Sequence, residues 1–224
     1  MIPKELQKRI LSSFILIPMV IFFLYQSSFI FIFFLIIIYL LTLYEWLNIS
    51  KKILIKLLGI LYISLSFYLA NLLRDNYGPY VFFFVLIVSI STDIGGYFFG
   101  KIIKGPKLIK ISPNKTYSGM IGSFALSLVL GYLYLSYYKS LEPINQIYSS
   151  QLIKFNNIFL ILIIIFIISG ISQIGDLIIS YFKRLANVKN TGTLIPGHGG
   201  LLDRIDGIIF AMPFSYFLFF YINQ

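Results

Sequence analysis

From Ile10 to Tyr44 the chain carries no charged residue. That run constrains the fold more than any other feature. A hydrocarbon core about 30 Å thick is crossed by about 20 helical residues rising about 1.5 Å each. The run is too long for one crossing and fits two, with a turn expected near Tyr25 to Ser28, where Gln26, Ser27 and Ser28 interrupt the apolar side chains. The remainder has the same character. Hydrophobic residues make up 58% of the 224 and charged residues only 12%, against about 25% charge in an ordinary soluble domain. No single water-soluble core could hide so many apolar side chains. The expected fold class is all-α, a polytopic integral membrane protein.

Further spans are expected at Leu57 to Leu73, Tyr80 to Phe99, Met120 to Tyr138, Phe155 to Gly175 and Gly207 to Tyr221. With the first two they make about seven transmembrane helices. Glu45 to Lys52 reads as an interfacial loop with Trp46 at headgroup level. Arg74 to Pro79 reads as an outer turn, Gly100 to Gly119 as a basic loop, and Lys139 to Lys154 as an outer loop. In this layout 15 of the 18 basic residues fall on one side. Cytoplasmic loops collect Lys and Arg, so the N-terminus is expected in the cytoplasm and the C-terminus outside. The same bias accounts for the net charge of +10 without a nucleic-acid partner. The basic start and apolar run resemble a signal peptide, but no Ala-x-Ala cleavage pattern follows, and the segment is read as a retained first span. The absence of cysteine excludes disulfides, thiolate nucleophiles and thiolate metal sites.

Chemistry-bearing residues gather in the second half. Residues 1–90 read as transmembrane helices, and residues 91–224 as a catalytic transmembrane region with its site on the cytoplasmic side. Asp93 lies inside an apolar run and Asp176 ends another. An ionised carboxylate in hydrocarbon must face protein, a polar cavity or a cation. For Asp93 an interhelical hydrogen bond is the plain alternative. Asp203 and Asp206 share one face if their segment is helical. Two like charges at that spacing need a positive partner. A hard divalent cation on oxygen ligands would serve, as would Arg204. Lys183, Arg184 and Lys189 read either as a positive flank of the preceding span or as a polyphosphate clamp. The segment Ile195 to Gly200, I-P-G-H-G-G, can offer successive backbone N–H groups to an anion. It contains His198, the sole histidine, a hydrogen bonder or a ligand contact. In I-S-P-N-K-T-Y-S-G, Ile111 to Gly119, Ser112, Lys115 and Thr116 could present a charge and hydroxyls to a phosphate.

From Ser180 to Asp206 the chain resembles the bacterial phosphatidate cytidylyltransferase, or CDP-diacylglycerol synthase, family. Ser180, Lys183, Arg184, Lys189, Gly192, Pro196, His198, Gly199, Gly200, Asp203, Arg204 and Asp206 match the spacing of its C-terminal signature. Q-I-G-D-L at Gln173 to Leu177, the Asp93 segment and S-P-N-K-T-Y-S-G extend the likeness back to about Ser91. Asn190 stands where the family has Asp, and Ser118 where it usually has Glu. The resemblance implies a nucleotidyltransferase of phospholipid biosynthesis in the cell inner membrane, which transfers CMP from CTP to phosphatidic acid and releases pyrophosphate. It implies Mg²⁺, with a second, monovalent cation such as K⁺, and a homodimer. Asp176 and Asp203 become the metal-ligand candidates. Lys183, Arg184, Lys189, His198, Arg204 and Asp206 become catalytic candidates. Asp93, Ser112, Lys115, Thr116, Ser180, Gly199 and Gly200 become substrate-binding candidates. Other classes that fit a multi-span chain with buried acids are a transporter, an isoprenoid-lipid cytidylyltransferase, a polyprenol kinase, and a non-enzymatic homologue.

Overall fold

The computed structural model describes residues 14, 16–50, 52–109, 112–140, 157–195 and 199–222, with the backbone alone at Pro113, Asn114, Lys139 and Ser140. Helix α1 covers 16–24. It is followed by α2 (Ser28–Ile49), α3 (Ile53–Ile103), strands β1 (Lys107–Ile109) and β2 (Ser112–Thr116), α4 (Tyr117–Ser140), α5 (Ile158–Leu185) and α6 (Leu202–Ile222). Five of these helices, α2 to α6, are long and apolar enough to cross a membrane. Their outward faces are apolar, as at Phe29, Leu61, Ile121 and Phe159, all exposed. Such a surface suits lipid and not water. The chain is thus an all-α polytopic membrane protein, with one small hairpin added.

At 51 residues α3 is about twice the length of one crossing. It breaks at Gly78, whose φ of 84° and ψ of 165° lie in a region that is essentially glycine-only. Pro79 follows, where a missing N–H suits the first turn of a new helix. The ring contacts reveal the path. Tyr62 packs on Phe210 at 4.6 Å and Tyr77 on Phe219 at 5.9 Å, so the first arm runs alongside α6 in the same direction. Phe84 then meets Phe219, and Asp93 lies within electrostatic reach of Arg204, so the second arm returns. Arg74 is not solvated in the turn. It is buried, with Nη1 donating to Ser28 Oγ at 2.8 Å and Nη2 to the Gln26 carbonyl, and it ties the α1–α2 turn to α3.

The second arm of α3 and α4 run antiparallel. Ser123 Oγ donates to the Thr92 carbonyl at 2.7 Å, and Tyr134 Oη to the Tyr80 carbonyl at 3.1 Å. α5 returns beside them, and the Thr92 and Ser169 hydroxyls meet at 2.8 Å. The described residues within 45–56, 97–116 and 180–206 therefore collect at one end of the bundle. A cluster of Trp46, Ile49, Ile63, Ile179, Leu202 and Ile209 packs four helices together beneath that end.

Three boundaries depart from the expected ones. α2 runs on through Ile49, so Glu45 and Trp46 are helical and buried. Trp46 is packed inside the bundle. Its indole N–H donates to the Lys56 carbonyl at 3.3 Å and its ring meets Phe182 edge-on. The basic loop Gly100 to Gly119 holds the end of α3, an antiparallel hairpin pairing Lys107 with Thr116 and Ile109 with Ser112, and the start of α4. α5 continues past Gly175 to Leu185 and carries the basic pair with it.

Candidate active site

Because α5 extends so far, Asp176, Ser180 and Lys183 fall on one helical face, one turn apart. α6 begins at Leu202, which puts Asp203 and Asp206 on a shared face of its first turns. The two helices cross closely. A Cβ on Gly207 would collide with Ser172 Oγ and stand 2.9 Å from the Ser172 carbonyl oxygen, and one on Gly175 would stand 2.6 Å from the Phe210 ring. Each glycine adjoins an acid, so the close crossing brings Asp176 and Asp206 within electrostatic reach of each other. Asp93 on α3 joins them, and Lys115 and Arg204 act on it.

Lysines answer these carboxylates. Lys183 Nζ lies 2.8 Å from Asp203 Oδ1 and 4.0 Å from Asp206 Oδ2. The positive group between the paired acids is thus a buried lysine from α5. Lys115 Nζ lies 2.5 Å from Asp176 Oδ2, and Ser180 Oγ donates to Asp176 Oδ1 at 3.2 Å. Lys115 reaches α5 from β2, so the hairpin carries a lysine to the cluster.

Asp203 Oδ2 also accepts the backbone N–H groups of Thr191 at 2.8 Å and Gly200 at 3.0 Å. With Lys183, three of the roughly four acceptor positions of that carboxylate are taken. The glycine-rich segment therefore turns the Gly200 N–H onto a carboxylate of the chain itself. Gly199 adopts a φ of 89° to make that turn. Pro196, Gly197 and His198 lie outside the described residues. Lys183 points inward, whereas its neighbour Arg184 is exposed and donates to the Val188 carbonyl at 3.4 Å. Lys189 and Arg204 are exposed as well. Thr116 caps α4, its Oγ1 accepting the Gly119 N–H at 3.1 Å and sharing a hydrogen bond with Ser118 Oγ at 2.9 Å. Ser112 stands on β2 opposite Ile109.

Sequence reasoning missed one participant. Glu45, read as part of a loop, is buried, and its carboxylate accepts hydrogen bonds from Thr191 Oγ1 and the N–H groups of Leu201 and Leu202. No local signal announces this. A Glu before a Trp at the end of an apolar run looks interfacial, and its partners lie more than a hundred residues away.

Among the described residues no group of three or more His, Cys, Asp or Glu side chains forms a ready-made metal site. The donors present are carboxylate oxygens, which suit a hard divalent cation. Mg²⁺ is ordinarily held by one or two carboxylates, with phosphate and water completing its shell, so this donor set fits it. Asp176, with its side chain 26% exposed, is more open to an incoming ion than Asp203 at 9%.

Residues 48–222 match the model of the cytidylyltransferase family. The chain is 40% identical over 164 residues to the phosphatidate cytidylyltransferase of Bacillus subtilis, covering 72% of this chain and 56% of that protein. The enzyme of that name from Staphylococcus haemolyticus is 36% identical over 159 residues, covering 70% and 55%. The one from Haemophilus influenzae is 37% identical over 165 residues, covering 72% and 52%. The chain spans about half the length of the curated relatives it matches. A cluster of lysine-paired aspartates at one end of an apolar bundle, and a family match over most of the sequence, lead to one conclusion: the chain belongs to the cytidylyltransferase family.

Proposed function

We propose that this chain transfers CMP from CTP to phosphatidic acid, forming CDP-diacylglycerol and pyrophosphate, in a bacterial inner membrane. The convergence of Asp93, Asp176 and Asp206 with Lys115 and Lys183 at one end of the bundle carries the reading. In this arrangement the chain crosses the membrane seven times, the two arms of α3 counting separately. The N-terminus is cytoplasmic and residues 91–224 hold the catalytic region. CTP then arrives from water and the lipid from the leaflet.

The phosphate of phosphatidic acid is already largely ionised near neutral pH, so a general base has little to add. One of its oxygens forms a bond to the α-phosphorus of CTP. The bond from that phosphorus to the α–β bridging oxygen breaks, and pyrophosphate leaves with the electron pair. The obstacle is the approach of one anion to another. Exposed Arg184, Lys189 and Arg204 draw in the triphosphate and hold its oxygens. Lys115, held by Asp176, and Lys183, held by Asp203, are fixed in place before substrate arrives, so their charge needs no reorganisation during reaction. Asp176, with Asp93 or Asp206, would hold Mg²⁺, which supplies charge neutralisation to phosphate oxygens. Asp203, engaged on three sides, orients Lys183 and the α6 N-terminus.

The test is incorporation of radiolabelled CTP into lipid by the purified protein, with and without Mg²⁺. Asp176→Asn is expected to lower the rate about 10²-fold or more. A purified, folded protein that makes no labelled lipid from phosphatidic acid in any lipid mixture removes the proposal.

A further inference from the structure

Three features stand outside the proposed machinery: the buried Arg74 cluster at the opposite end, the basic hairpin edge, and Glu45. The Arg74 guanidinium is used up in capping α1 and closing the α1–α2 turn, and the hairpin edge repeats the charge bias of the cytoplasmic side. Glu45 is different. It is an acid at the end of an apolar helix, 1% exposed, and among the described residues it forms no ion pair. Burying a carboxylate that way is costly unless its oxygens are hydrogen-bonded.

They are. Glu45 Oε1 accepts the Leu201 N–H at 2.8 Å, and Oε2 accepts the Leu202 N–H at 2.9 Å and the Thr191 hydroxyl at 2.7 Å. The first N–H groups of a helix have no partner within it, and its N-terminal end carries partial positive charge. Glu45 therefore caps α6 from a different helix. It also interleaves with Asp203. Thr191 gives its hydroxyl to Glu45 and its N–H to Asp203, while Gly200 serves Asp203 and the next two residues serve Glu45. One buried acid and one site acid thus grip the same two stretches of backbone in alternation. The motif glycines are cut to this shape. A Cβ on Gly192 would stand 2.7 Å from Glu45 Oε1, and one on Gly200 would collide with Glu45 Oε2 and Thr191 Oγ1. Glu45 lies outside the residues matched by the family model, which begin at 48.

We propose that Glu45 is a positioning residue for this site: its carboxylate locks Thr191 and the start of α6, and so sets Asp203 and Asp206 against Lys183. The inference rests on the proposed cytidylyltransfer for its kinetic consequence and on geometry alone for its structural one.

Four variants of the full chain test it, purified into lipid nanodiscs: Glu45→Gln, Glu45→Asp, Thr191→Val and Thr191→Ser. In Glu45→Gln the amide nitrogen must face a donor, Leu201 N–H or Leu202 N–H, and that hydrogen bond is lost. Amide hydrogen exchange at Leu201 and Leu202 is expected to rise about tenfold or more, with exchange across α4 unchanged. kcat is expected to fall about tenfold or more, with a smaller change in KM for CTP. Glu45→Asp, one methylene short, falls between. Thr191→Ser keeps the hydroxyl and stays within about twofold of wild type, whereas Thr191→Val loses about threefold or more. Wild-type exchange at Leu201 and Leu202 in Glu45→Gln overturns the proposal. So does raised exchange with unchanged kcat, since Glu45 would then stabilise α6 without setting the site. If Glu45→Gln does not accumulate, the Thr191 pair decides: equal exchange and equal kcat in Val and Ser overturn it. If wild type transfers no CMP, the functional reading falls, and the exchange measurements still decide whether Glu45 locks the segment.

Discussion

Replacing Lys183 by Met removes the cation between two buried carboxylates and keeps much of the side-chain volume. The Lys183 side chain is 11% exposed, Asp203 9% and Asp206 7%. At an effective dielectric of about 20, a pair at the observed 2.8 Å gains about 6 kcal/mol and one at 4.0 Å about 4 kcal/mol before desolvation is charged against them. Most of that gain is cancelled by taking the ions out of water. The measurable quantity is the cost of leaving the partners behind, about 3–5 kcal/mol for a broken buried pair. For a protein of this size that is a fall in Tm of about 6–20 °C, read by intrinsic fluorescence in detergent. The double variant Lys183→Met with Asp203→Asn separates charge from packing. The carboxamide oxygen that takes the place of the Asp203 carboxylate can still accept the Thr191 and Gly200 N–H groups, so the loop stays pinned and one stranded charge is gone. About half the lost stability should return, because Asp206 still lacks its cation. The coupling energy should exceed about 1.5 kcal/mol, within the range for residues in direct contact. A double variant whose loss equals the sum of the two single losses would refute the claim that these charges hold each other.

Two glycine substitutions separate the site end from the rest. Gly207→Ala drives a methyl into Ser172 and should spread α5 from α6, costing about 1–3 kcal/mol and lowering CMP transfer about tenfold. Gly131→Ala, whose Cβ would meet the Ile165 and Val88 side chains at 3.1 Å, is the control, expected to stay within about twofold in the same assay. At Gly78 nothing lies within 4 Å of an added Cβ, so Gly78→Ala isolates backbone strain. It should lower stability by about 1–3 kcal/mol in a thermal melt and leave the rate below the melting temperature unchanged.

The membrane class and the grouping of acids, basic residues and glycines between Asp176 and Asp206 were legible because both are local properties. Hydrophobic length needs no tertiary knowledge, and acids beside glycines at a span end are rare enough to stand out. The turns at Tyr25 to Ser28 and at Gly78 were legible for the same reason. What failed was assignment of partners. Lys183 and Arg184 look equivalent in sequence, but one helical step of about 100° sends the first into the bundle and the second to the surface. Asp203 gave no sign in the sequence of the three donors that converge on it from α5 and the loop before α6. Glu45 looked interfacial because the N–H groups that justify its burial lie 156 and 157 residues further on. The hairpin was hidden by its composition, since lysines and a proline mask a strand whose purpose is to carry Lys115.

Asn190, where the chain departs from the motif it otherwise carries, gains a physical meaning from this arrangement. A Cβ on Gly199 would stand 3.1 Å from Asp203 Oδ2 and 3.3 Å from Asn190 Cγ, so the carboxamide stands beside the carboxylate. Lys183 already answers two acids there, and Asp93 and Asp176 add their charge to Asp206. A carboxylate at 190 would add repulsion to these charges, weaker where water screens it. The lysines that serve the cluster are engaged at 2.5 and 2.8 Å, so a charge at 190 would compete with Asp176 and Asp203 for them. A neutral Asn removes that competition and keeps the shape beside Gly199. The substitution therefore shifts the balance of the site toward the chain's own lysines. It does so without touching Asp176, which is more open to an incoming ion than Asp203.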